Sequence, residues 1–157
     1  MPLNLQERND IMERRITHQV SRKIKMVHIA WDIIEGMESH ARESYPLECC
    51  GLLAGKEKLI TAIFQTRNAA ASVDKYEMDP VEQLNVFEEI DRRSLKLLGI
   101  YHSHPHHPCH PSALDISRAF YPDTAFFIIS LVDVQRPRIK AFTIGEGTVM
   151  EEEIVVQ

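Results

Sequence analysis

A chain of 157 residues has the size of one ordinary globular domain, and its 44% hydrophobic and 26% charged content is that of a chain that folds on its own. The formal net charge of −5 is spread along the sequence without a lysine- or arginine-rich block, which argues against nucleic acid as a partner. No apolar run nears the roughly 20 residues that span a bilayer and the start lacks a signal-peptide segment, so no membrane partner and a cytoplasmic location are expected.

Residues 1–22 carry few apolar positions and many charges. They read as an extension, partly helical, that packs on the domain or on a second copy in a homodimer, and residues 23–157 read as the domain itself. The basic positions from Arg14 to Lys25 are diluted by polar residues, as on a solvated helix face. From Trp31 onward Ile34, Met37 and Ala41 recur at helical spacing until Ser44-Tyr45-Pro46. Cys50–Gly55 and Leu59–Thr66 read as two strands of a hairpin turning at Gly55-Lys56-Glu57-Lys58. Asp79-Pro80 is an N-cap with proline at the first helical position, and Leu84, Phe87, Ile90 and Ser94 mark one face of a helix ending near Leu95. Leu97–His104 reads as a strand, Pro105–Pro111 as a proline-stiffened loop, and Ser112 as the start of a short helix carrying Ile116, Ala119 and Phe120. Three more strands are expected at Ala125–Val132, Arg138–Ile144 and Thr148–Val155.

Side chains alternate faces along a strand, so His102 and His104 point the same way and can grip one ion. Asp115 stands three positions after Ser112 on the same helical face and supplies a carboxylate as third ligand. Two nitrogens, one oxygen and an open fourth position make up a catalytic zinc site rather than a structural one, with one Zn2+ per chain expected. A carboxylate must then move the protons, and Glu48, beside the strand at Cys50, is placed for that; Ser112 can donate to an oxyanion. Each piece also has a plainer reading, since Ser112-Ala113-Leu114-Asp115 is a helix capping box and an acid before a strand is usually solvated. The combination arises by chance in roughly one chain in a thousand. His106, His107, His110 and Cys109 are expected to face solvent from the loop rather than to ligate, with Cys109 near the ion without binding it. Cys49 and Cys50 read as small buried strand residues; three cysteines, two of them adjacent, imply no disulfide framework.

Glu48-Cys49-Cys50-Gly51-Leu52-Leu53, with His102-Ser103-His104-Pro105 running through to Ser112 and Asp115, resembles the JAMM metalloproteases of the MPN-domain family over roughly residues 24–155. The resemblance implies an α+β or α/β class: a single MPN, cytidine-deaminase-like domain with a mixed curved sheet flanked by helices. It implies His102, His104 and Asp115 as zinc ligands, Glu48 as general acid and base, and Ser112 as the oxyanion group. Tyr76–Leu84 is similar to the helix entry of the compact bacterial and archaeal members, which are associated with ubiquitin-like sulfur carriers. The implied reaction is cleavage of the amide bond after the C-terminal Gly-Gly of a ubiquitin-like or sulfur-carrier protein. Two rival readings are a non-catalytic MPN scaffold and a metal-binding module built on the histidine-rich loop.

Overall fold

The computed structural model describes residues 25–157, together with Gln6, Glu7 and Asp10. The extension and its expected packing therefore lie outside the described residues. The elements are β1 (Met26–Ile29), α1 (Trp31–Ser44), β2 (Cys50–Lys56), β3 (Leu59–Thr66), α2 (Pro80–Arg92), β4 (Lys96–His104), α3 (Ala113–Ser117), β5 (Ala125–Ser130), β6 (Arg138–Gly145) and β7 (Thr148–Val156). The seven strands form one mixed sheet in the order β1-β3-β2-β4-β5-β6-β7, and β1 pairs in parallel with both β3 and β7, so the curved sheet closes on itself as a barrel.

Local chemistry explains most boundaries. In α1 the buried stripe is Ile33, Ile34, Met37 and Ala41; Trp31, in the first turn, keeps 58% of its surface in water despite its expected place on that stripe. Asp79 caps α2 by accepting from the backbone N–H groups of Val81 and Glu82, with Pro80 at the position where a missing N–H costs nothing. That helix stops at Arg92, earlier than its apolar spacing suggests, because Ser94 takes a positive φ of 54° that ends helical geometry. Leu84 is 58% exposed, so the helix seats itself with Val86, Phe87 and Ile90. Strand β1 was not anticipated: four residues carry too short a pattern to stand out, and their pairing partners lie far along the chain.

One face of the barrel sheet packs against α1 through Ile29, Leu53, Ile60, Tyr101, Phe127 and Ile129. The opposite face carries Leu52, Ile100, Phe126, Ile128 and Phe142; α2 and α3 cover it with Phe87 and Ile116, and Ala119 adds to the cover from beyond α3, which ends at Ser117 and so carries neither Ala119 nor the exposed Phe120. On β4, His102 and His104 follow Ile100 in period two and share this second face, on the side where α3 begins. Tyr101 and Ser103 point to the first.

Candidate metal centre

The two histidines and the aspartate come together at the end of β4. His102 Nε2 and His104 Nε2 lie 3.0 Å apart, and each is 3.2 Å from Asp115 Oδ2. Among the described residues these three form a group whose ligand atoms all lie within 4.8 Å of one another. His102 and His104 are buried and Asp115 is half-buried. His104 Nδ1–H donates to the Pro108 carbonyl at 2.9 Å, which leaves a lone pair on Nε2 aimed at its partners. The His102 ring is held by stacking on Tyr76, centroids 4.6 Å apart and planes 26° from parallel, while its Nδ1 is buried without a hydrogen-bond partner.

Asp115 presents a single oxygen to both tasks. Oδ2 accepts from the Ser112 backbone N–H at 2.8 Å and also faces the imidazoles, so capping and ligation use two lone pairs of one atom rather than the two oxygens of the carboxylate. The reciprocal half of the capping box, Asp115 N–H to Ser112 Oγ at 3.1 Å, uses the serine oxygen as acceptor and leaves its hydroxyl proton free to donate elsewhere.

The residues fit a tetrahedral divalent ion. Bonds of about 2.0–2.1 Å at tetrahedral angles space the donors roughly 3.3 Å apart, close to the 3.0 to 3.2 Å seen here. At this separation the two facing nitrogens are joined either by a proton on His102 Nε2 or by a cation that both lone pairs bind. Burial lowers the proton affinity of His102; at His104 burial is outweighed by the Asp115 and Pro108 hydrogen bonds and by nearby acids, which raise it. Burial likewise works to raise the Asp115 carboxyl, but hydrogen bonds from both histidines hold it well below the ordinary range.

Glu48 stands just ahead of β2 and is 3% exposed, with Oε2 buried and without a hydrogen-bond partner among the described residues. Burial pushes its carboxyl up to about 7, against a downward pull from His104 and with an upward push from Asp115. Its segment is tied to β4 by two bonds through Ser103: Cys49 N–H donates to Ser103 Oγ at 2.8 Å and Ser103 N–H donates to the Cys49 carbonyl at 3.0 Å. On the other side Glu48 N–H donates to the Ser72 carbonyl, and Asn68 Nδ2 donates to the Glu48 carbonyl at 3.1 Å. Asn68 Oδ1 also accepts from Ala70 and Glu77, so this one amide fixes the 67–79 loop, with Tyr76 in it, against the glutamate.

Ser103 and Tyr76 stand inside motifs quoted from the sequence but carry no role there, and Asn68 stands in none. Ser103 is the middle residue of His-x-His, where a small polar residue facing the core was the available signal; the other two act through tertiary contacts that no local spacing reveals. The histidine-rich loop divides. His106, His107 and His110 are exposed as expected, but Cys109 is buried, not solvent-facing, because its thiol turns inward to donate to the Arg138 carbonyl at 2.9 Å. Cys49 and Cys50 are both buried as expected, but only Cys50 belongs to β2, Cys49 lying just ahead of it; burial pushes their thiols to about 12 and about 11.

A mixed barrel whose strand end and following helix assemble two imidazoles and a carboxylate, beside a buried acid, defines a metallopeptidase-like domain. The chain belongs to the prokaryotic homologues of the JAB domain, whose family profile matches residues 32–145. It is 33% identical over 127 residues to a CysO-cysteine peptidase of Mycobacterium tuberculosis, covering 80% of this chain and 87% of that one. It is 38% identical over 109 residues to a desampylase of Haloferax volcanii, covering 65% and 78%. A probable TtuB-protein conjugate cleaving protease of Thermus thermophilus is 31% identical, with 78% of each chain covered. A solution structure of a protein from Desulfitobacterium hafniense superposes with TM-score 0.77 at 35% identity, over 84% of this chain and 92% of that one. A JAB1/MPN domain protein from Archaeoglobus fulgidus shares the fold alone, with TM-score 0.55 and 20% identity over 83% and 98% of the two chains. Among the described residues no helix is long and apolar enough to cross a membrane.

Proposed function

We propose that this chain is a zinc-dependent peptidase that hydrolyses the amide bond after the C-terminal Gly-Gly of a ubiquitin-like or sulfur-carrier protein. The observation that carries the reading is the convergence of His102, His104 and Asp115 beside a buried glutamate whose Oε2 has no partner. His102 Nε2, His104 Nε2 and Asp115 Oδ2 would hold one Zn2+ per chain, and such an ion, when bound, would polarise a carbonyl and acidify water. The Glu48 carboxylate takes the proton from the attacking water and passes it to the leaving amine. Its desolvated carboxyl has the near-neutral proton affinity that both halves of that transfer need. The Ser112 hydroxyl, whose proton is not used by the capping box, donates to the developing oxyanion. The choice of a carrier conjugate as substrate is supported by relatives whose names describe a CysO-cysteine peptidase and a TtuB-protein conjugate cleaving protease, and the Gly-Gly preference is what the resemblance to the compact JAMM members implies.

The test is metal content by elemental analysis together with hydrolysis of a sulfur-carrier conjugate ending in Gly-Gly plus one amino acid. Wild-type protein should hold close to one zinc and cleave; His104→Ala should lose both. Glu48→Gln should keep the zinc and lose about 10²–10⁴-fold in kcat. A Glu48→Gln protein with full turnover would remove the glutamate from the reaction, and zinc without hydrolysis of any Gly-Gly conjugate would favour the scaffold reading.

A further inference from the structure

The barrel has a second end. Strand β4 runs from Leu98 at that end to His104 at the metal centre, which separates the two by roughly 20 Å at the rise of a strand. Two cavities open there, of about 410 Å³ and 560 Å³, and they share Lys25, Thr143 and Glu152. Glu152 projects from β7 toward the α1 face, beside Ala141 of β6, and is only 6% exposed. Its Oε2 is fully buried and has no hydrogen-bond partner among the described residues. An acid on an inward position of a barrel strand, lining two cavities and with one carboxylate oxygen buried and unpartnered among the described residues, is costly to keep unless its charge is met.

The surroundings narrow what that is. Val27, Ile60, Leu98 and Ala125 give the cavity an apolar wall. Lys25 and Lys58 stand exposed on its lining, neither in an ion pair with a carboxylate among the described residues, and Asp123 is the other acid there. An anion alone would meet Glu152, and a simple amine would have to pass the two lysines. A divalent cation would need converging ligand atoms, and Glu152 belongs to no such group among the described residues. With two acids and two lysines the lining is balanced in charge.

We infer that the end of the barrel opposite the metal centre binds a small zwitterion, an α-amino acid with an apolar side chain. Its ammonium meets the Glu152 carboxylate and the Thr143 hydroxyl, its carboxylate faces Lys25 and Lys58, and its side chain lies on the apolar wall. No covalent step is involved, and the site is independent of the peptidase reading.

Calorimetric titration of the full chain with L-leucine tests this. Two analogues serve as controls: 3-methylbutylamine, which lacks the carboxylate, and 4-methylpentanoate, which lacks the ammonium. Leucine should bind saturably at one per chain, also to EDTA-treated protein, and each analogue at least about tenfold more weakly, the size of one lost charge-assisted contact. Glu152→Gln should weaken leucine by a similar factor. Should that variant fail to fold, Lys58→Ala, at an exposed position, carries the same expectation. No saturable heat with leucine, an analogue binding as tightly as leucine, binding abolished by EDTA, or binding left unchanged by the substitutions would each overturn the assignment.

Discussion

Replacing Ser103 by alanine removes the oxygen that accepts the Cys49 backbone N–H at 2.8 Å, in a place where both residues are buried. No water replaces that partner in a fully packed position, so the N–H is left unsatisfied at a cost of roughly 1–3 kcal/mol. For a chain of this size each kcal/mol lowers Tm by about 2–4 °C. The His102 and His104 side chains keep their strand and their neighbours, so metal content should stay near one per chain. The Cys49 segment loses one of its two ties to β4, and Glu48, next to it, shifts; a displacement near 1 Å of a proton-transfer group costs about 10²-fold in turnover. Differential scanning calorimetry, elemental analysis and single-turnover kinetics on the same preparation separate the three quantities. Ser103→Ala with unchanged Tm and unchanged kcat would refute the claim that this hydroxyl positions the glutamate. Loss of metal with the activity would place its role at the histidines instead.

Removing the metal with EDTA should lower Tm reversibly, since an ion bound only by the folded chain at 1,000 times its Kd stabilises by about 4 kcal/mol; His104→Ala should show no such dependence in a calorimetric scan. His40 accepts a hydrogen bond at 2.7 Å from Tyr101, whose phenol burial keeps protonated, and burial lowers the His40 pKa below 6.5. The unfolded chain therefore binds that proton more readily, and stability present above pH 6.5 is lost as the pH falls below it. His40→Gln, titrated by urea unfolding between pH 7.5 and 5, should show a shallower decline than wild type; an equal slope would be evidence against this pair as a contributor. Gly51→Ala should fail to yield soluble folded protein, because a Cβ there would meet the Tyr101 ring at 2.4 Å and the Phe64 carbonyl at 2.5 Å, neither able to retreat. Circular dichroism of a soluble, native-like variant would contradict that.

The features legible in the sequence share one property: their parts lie within a few residues of each other or repeat at a fixed period. The His102 and His104 spacing works because a strand alternates, and the Ser112 and Asp115 spacing because a helix turn closes a capping box. The α1 helix, the β2–β3 hairpin and the proline at the start of α2 follow from equally local rules. Glu48 was legible as a residue type beside a strand, but its burial is conferred by neighbours brought in by the 67–79 loop and β4. Tyr76 against His102 and the inward turn of Cys109 depend on the same kind of distant contact, so spacing could not foretell them. Strand β1 fell below notice because its identity is established only by the two strands it joins.

That last strand sets an order of events. Two register pairs join β1 to β3, and four join it to β7, the final strand of the fold. During synthesis the hairpin β2–β3 and the β4–β5 pairing can form as they emerge, but the seam cannot close until β7 has left the ribosome. The nascent domain therefore waits with α1 resting on an open sheet, and closure comes as a late step that depends on the most distant contact in the chain. Pulse-labelling hydrogen exchange would find the β1 amides protected last.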